Sequence, residues 1–201
     1  RLWEAHLLAS FREQGLLVTQ DCKSPDFRVA NSHGCETWVE AVTANPVEKY
    51  DHYGATPVDP PQERRERVLG TAAVRFAKTI RSKLDKQYDA LPHVVGKPFA
   101  LALADFHAPG SMLWSREALV SYLYGFFARV IERDGIQVAE AEEVRVLPGD
   151  RKIPSGLFRS EENAGVSAII FSNACSIAKL SRVGVSAGAL LEDYRYVRIG
   201  E

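Results

Sequence analysis

Two carboxylates carry the chemical content of this chain. In the stretch "SPDFRVANSHGCETWVEAVTAN", Asp26 opens one short apolar segment and Glu40 sits in the middle of the next, between Trp38-Val39 and Ala41-Val42. A carboxylate inside a strand of sheet-interior composition is costly to bury unless something pairs with it. Two such groups on adjacent strands can converge on one divalent cation. Hard oxygen ligands suit Mg²⁺ (or Mn²⁺), which takes one or two carboxylates plus waters and substrate phosphate. An ion held that way polarises a phosphodiester and lowers the pKa of an attacking water. A lysine or glutamine nearby then orients the water or stabilises charge building on phosphorus.

The elements that must position these groups follow from periodicity. Residues 2–14, "LWEAHLLASFREQ", read as a helix stopped by Gly15, with Trp3, Leu7, Leu8 and Phe11 as its apolar stripe and Glu4 inside that stripe. "LLVT" gives a short strand. "DFRVA" and "CETWVEAVTA" read as strands around an "NSHG" turn, rich in Val, Thr and aromatics. On the second strand the two-residue period puts Glu36, Trp38, Glu40 and Val42 on one face. Residues 45–61, with four prolines and no periodicity, read as a long rim loop.

A long helix is expected from Gln62 to Tyr88, its apolar stripe running through Leu69, Ala73, Phe76, Ala77, Ile80 and Leu84. Gln87 falls on that stripe and Lys83 at its edge, while Lys86 points to the solvent side. Arg64, Arg67, Arg75 and Lys78 form a separate basic stripe, read either as a solvated face or as a phosphate-binding one. "PFALALADF" (98–106) is a continuous apolar run with a proline start and reads as a strand buried on both faces. Residues 115–133 read as a helix with Ser115 as N-cap, residues 165–173 as another buried strand, and "YRYVRI" (194–199) as an alternating one. The order is that of a mixed α/β sandwich around one sheet, a single domain over 1–201.

At this point the residues resemble a known family. Pro25-Asp26, a hairpin turn, then Val39-Glu40-Ala41 on a hydrophobic strand is similar to the PD-(D/E)xK, restriction-endonuclease-like nuclease superfamily. The resemblance implies a central mixed β-sheet flanked by helices, with the motif core over about 1–106 and residues 107–201 completing sheet and flanks. It implies Asp26 and Glu40 as metal ligands, and Glu4 as the glutamate that many members carry on the helix before the first strand. The usual lysine two residues after the glutamate is Val42 here. Some members place a displaced lysine or a glutamine on the following helix, where Lys83, Lys86 and Gln87 lie, and Lys83 is the better placed of the two lysines. The implied activity is Mg-dependent hydrolysis of phosphodiester bonds, with nucleic acid, DNA before RNA, as partner, and a homodimer if both strands are cut. The alternative is a nuclease-like domain without catalysis, acting as a nucleic-acid-binding or assembly module.

Plainer readings stand beside these. Asp26 after proline suits a turn, and Glu40 suits a salt bridge with Arg28 on the neighbouring strand. Glu36 reads as lining a solvated end of the sheet. Solvated surface roles are the default for all five histidines. With 46% hydrophobic and 25% charged residues the composition is ordinary, and the formal net charge of −1 supplies no global attraction to nucleic acid. Cys22, Cys35 and Cys175 fit neither a disulfide framework nor a zinc site, so a reducing, cytoplasmic setting is expected. No signal-peptide pattern is visible, and no apolar run approaches the ~18 residues of a membrane span.

Overall fold

A five-stranded mixed sheet organises the protein. The computed structural model describes residues 2–46, 64–108, 111, 114–149, 152–173 and 175–186. Strands β1 (Leu17–Thr19), β2 (Phe27–Ala30) and β3 (Glu36–Ala44) pair antiparallel in sequence order. Strands β3, β4 (Phe99–Asp105) and β9 (Ala168–Ser172) run parallel, with Trp38 opposite Phe99 and Ala44 opposite Asp105. Parallel neighbours require a crossover, and the long helix between β3 and β4 supplies it.

Helix α1 (Leu2–Glu13) lies on one face. Its Trp3, Leu7 and Phe11, spaced one turn apart, are buried, and the Trp3 indole donates a 2.8 Å hydrogen bond to the Ala102 carbonyl of β4. β4 accommodates this by alternation. Ala100, Ala102 and Ala104 face α1, leaving room for the indole, while Phe99, Leu101 and Leu103 face the opposite layer. Helix α4 (Ile177–Ser186) packs beside α1.

The opposite layer is the long helix and α3 (Ser115–Tyr124). The long helix begins with wide π-helical turns over Glu66–Ala73 and continues as α2, Val74–Leu84. Leu69, Ala73, Phe76, Ala77 and Ile80 are fully buried against Trp38, Val42 and the large residues of β4, as the apolar stripe predicts.

The helix stops earlier than expected. Its α-helical part ends at Leu84, Gln87 takes a left-handed conformation (φ 50°), and Tyr88–Ala90 form a short 3₁₀ turn. The 3.6-residue projection cannot be carried past that break, so Gln87 is not on the apolar stripe but exposed, and Tyr88 is the buried residue.

A second departure follows α3. The helical reading of 115–133 fails at Gly125, which ends the helix at φ 72°. Phe126–Arg133 is instead strand β5, paired with β6 (Ile136–Glu143) through a two-residue turn in which Asp134 (φ 52°) and Gly135 (φ 77°) are both left-handed. Asp-Gly is the chemistry such a turn demands. Ser115 is the first helical residue rather than the N-cap, which is Trp114. A small ladder, β7 (Val146–Leu147) with β8 (Ile153–Pro154), follows. The "YRYVRI" segment and nearly all of the expected 45–61 loop lie outside the described residues.

Candidate functional site

The site forms where β2 and β3 part. Their ladder pairs Phe27 with Val39, and one further step would set Asp26 against Glu40. At that step the Asp26 side chain takes over the backbone's role: its Oδ2 accepts the Ala41 N–H at 2.7 Å. The two carboxylates are thereby held side by side at the end of the antiparallel half of the sheet.

Glu40 is only 4% exposed and lies on the long-helix face, as its alternation with Trp38 and Val42 requires. Its partners come from beyond the strand. Lys83 Nζ donates to Glu40 Oε1 at 2.6 Å, and the Tyr88 hydroxyl donates to the same oxygen at 2.8 Å. Glu40 Oε2 is buried and meets no hydrogen-bond donor among the described residues. One oxygen thus has two donors and the other none.

Charge accumulates here. Burial pushes the Asp26 carboxyl up; the Ala41 N–H opposes this, the negative charges of Glu40 and Glu4 add to the rise, Lys83 counters it, and the net shift is upward. Half-buried Glu4 on α1 therefore acts on Asp26 through its charge. Burial first, then the hydrogen bond to Glu40 and the charges of Glu40 and Asp26, keep the Tyr88 phenol protonated well above its ordinary range.

The sequence-derived residues fall into two groups. Asp26, Glu40 and Lys83 come together, with Glu4 acting on Asp26 through its charge; exposed Gln87, beyond the helix end, makes no contribution visible in this geometry. The Glu40–Arg28 bridge does not form. Arg28 pairs with Glu36 at 3.3 Å, and Glu36 also meets Lys97, which holds its carboxyl below the usual range. Glu36 is thus an ion-paired group at the start of β3, away from the buried pair. Tyr88 lies past the last turn of α2, in the 3₁₀ turn, where helical periodicity does not single it out.

Two other features were also out of reach of the sequence. Asp105, at the end of β4, and His107 are both buried and hydrogen-bonded through Oδ1 and Nδ1, and His107 sits edge-on between Phe76 and Trp114. Burial raises the Asp105 carboxyl, but His107 and the Ser111 hydroxyl outweigh it and the net shift is downward. His93 stacks edge-on against Trp38 and meets the Ser24 carbonyl at 2.9 Å. Neither histidine is the solvated residue expected.

The basic stripe is largely occupied in packing. The Arg64 guanidinium lies 5.0 Å from the Phe127 ring centre and pairs with Glu117; Arg67 lies 5.2 Å from that of Trp114. They border a cavity of about 830 Å³ between α3 and the β5–β6 hairpin. That cavity is at the opposite end of the long helix from Lys83 and includes none of the carboxylate site.

Among the described residues no three His, Cys, Asp or Glu side chains gather as a ready-made metal site. The two carboxylates are nonetheless suited to a small divalent cation. Glu40 Oε2 is a buried acceptor without a donor among the described residues, and Asp26 carries the penalty of two nearby negative charges. Both deficits are of the kind a hard cation relieves. Among the described residues, no helix is long and apolar enough to cross a membrane. Comparison with protein-family models, with curated proteins and with solved structures gives no match for this chain.

Proposed function

We propose that this protein is a metal-dependent nuclease of restriction-endonuclease-like fold. The observation that carries the reading is the arrival of Lys83 at Glu40: the strand position that would hold the lysine is Val42, and an ammonium reaches the same carboxylate from the helix instead, at 2.6 Å. Asp26 and Glu40 would hold Mg²⁺ (or Mn²⁺), with half-buried Glu4 supporting Asp26. The ion would polarise the scissile phosphodiester and acidify the attacking water.

The chain's own residues do the rest. The Ala41 N–H fixes the Asp26 carboxylate. Lys83, on a four-carbon stem and 20% exposed, is able to turn from Glu40 toward a phosphate and offset its developing charge. The substrate is nucleic acid, DNA before RNA, and cutting both strands of a duplex favours a homodimer.

The test is direct. Supercoiled plasmid, linear duplex, single-stranded DNA and RNA are incubated with the purified protein and Mg²⁺ or Mn²⁺. Cation-dependent cleavage lost in Asp26→Asn and Glu40→Gln is expected; intact substrates throughout would sink the reading. The alternative, a nuclease-like module that binds without cutting, rests on Val42 at the usual lysine position. Retained nucleic-acid binding with no cleavage in any metal would favour it.

A further inference from the structure

Glu40 Oε1 has two donors that differ in mobility. Lys83 comes from the last turn of α2 on a long aliphatic stem, its side chain partly exposed. Tyr88 is 6% exposed, fixed by the 3₁₀ turn that follows left-handed Gln87, and its ring packs against Phe99 with centroids 5.7 Å apart. One donor is free to leave and the other is built in.

We propose that Tyr88 is a positioning residue for Glu40, and that the Lys83–Glu40 pair is a latch released by the cation. This rests on the nuclease reading above. A buried acceptor left without a donor costs the full desolvation of that group. If Lys83 alone served Oε1, its departure toward a phosphate would leave both oxygens of a buried carboxylate unsatisfied. With Tyr88 in place, Oε1 keeps its hydrogen bond, Glu40 cannot rotate, and Oε2 stays presented to the ion. The cation then replaces the charge partner that Lys83 gives up. In its absence Lys83 remains on Glu40, unavailable to substrate. Among the described residues the Tyr88 hydroxyl meets only the Glu40 carboxylate, so its role is to position that group.

The test is calorimetric titration of Mn²⁺ and Mg²⁺ into the protein without nucleic acid, for wild type, Tyr88→Phe, Lys83→Met and the double variant. Groups that orient metal ligands typically change affinity about 10–100-fold, so Tyr88→Phe should weaken cation binding about tenfold. Lys83→Met should bind at least as tightly as wild type, because a competitor is gone. In the double variant the loss from Tyr88→Phe should be larger than in wild type, since no donor remains on Oε1. Lys86→Ala is the control: its ammonium lies 5.8 Å from the Tyr88 ring centre on an exposed side chain, and affinity should not change. Tyr88→Phe binding like wild type overturns the inference while leaving the nuclease reading intact. A wild type that takes up neither cation overturns both. Should Tyr88→Phe not fold, Lys83→Met binding more weakly than wild type would overturn the latch.

Discussion

The two ends of the long helix present cations in opposite ways. At its start Arg64 and Arg67 lie over Phe127 and Trp114 and border α3 and the hairpin, and Arg65 pairs with Glu142. At its far end Lys83 meets a carboxylate that is almost wholly buried and has one oxygen with no donor among the described residues. The first region fastens surface elements together. The second keeps a charged carboxylate out of water, which is costly unless something pairs with it. What separates the two ends is burial of the paired carboxylate, with side chains 29% and 31% exposed for Glu117 and Glu142 at the start and 6% for Glu40 at the far end.

The largest expected effect tests that contrast directly. Lys83→Ala should lower cleavage on the order of 10²–10³-fold, the usual loss for one preorganised charge-stabilising group, measured as initial rates on plasmid. Arg67→Ala should leave the rate unchanged. Equal losses in both would erase the distinction between the two ends.

Next comes stability at a third location. Asp105→Ala removes one member of a buried pair, and such losses typically cost about 3–5 kcal/mol, read from urea unfolding. Because the Asp105 carboxyl lies below its ordinary value, its stabilising contribution is present above the unfolded-state pKa and is lost as pH falls through the folded one. The difference between wild type and variant should therefore shrink in acid, with cation affinity unaffected.

Asp26 has the opposite sign. Its folded pKa is raised, so wild-type stability is full below the unfolded value and declines as pH rises through the folded one. Asp26→Asn should melt slightly higher than wild type at neutral pH, converge with it in acid, and lose the rise in melting temperature that Mg²⁺ gives wild type. A variant still stabilised by Mg²⁺ as strongly as wild type would remove Asp26 from the site.

The smallest effect belongs to the hairpin. Arg129 and Arg133 each reach Glu140 at 3.0 Å, all three well exposed. Arg129→Ala should change stability by less than about 1 kcal/mol, and less still in high salt.

Much of the sheet was legible in the sequence, and so was the meeting of Asp26, Glu40 and Lys83. Strand alternation fixes the face of Glu40, the apolar stripe fixes which way the helix lies, and a lysine at the stripe's edge then has one direction to go. What periodicity does not convey is where it stops. Gln87 and Tyr88 exchange roles because one left-handed residue ends the projection. "YGFFARVIERDGI" satisfies a helical period and a strand period alike, and only Gly125 and the Asp-Gly pair decide between them. The burial of His107 depends on Phe76 and Trp114, on either side of it in the chain, and no local pattern reports that.

The bonds that build the site differ in how far apart along the chain their partners lie. The Asp26–Ala41 hydrogen bond spans 15 residues within one antiparallel hairpin, whereas Lys83 and Tyr88 reach Glu40 across 43 and 48. Short loops close before long ones, and parallel strands joined by a crossover are slow to pair. During refolding the two carboxylates should come together early, as the β2–β3 hairpin forms. The lysine and the tyrosine should arrive only when the crossover helix docks and β4 joins the sheet. A variant that weakens the Asp26–Ala41 bond should then slow refolding, and one that removes the Lys83 ammonium should mainly speed unfolding. The acidic half of the centre would precede its basic half in time as it does in sequence.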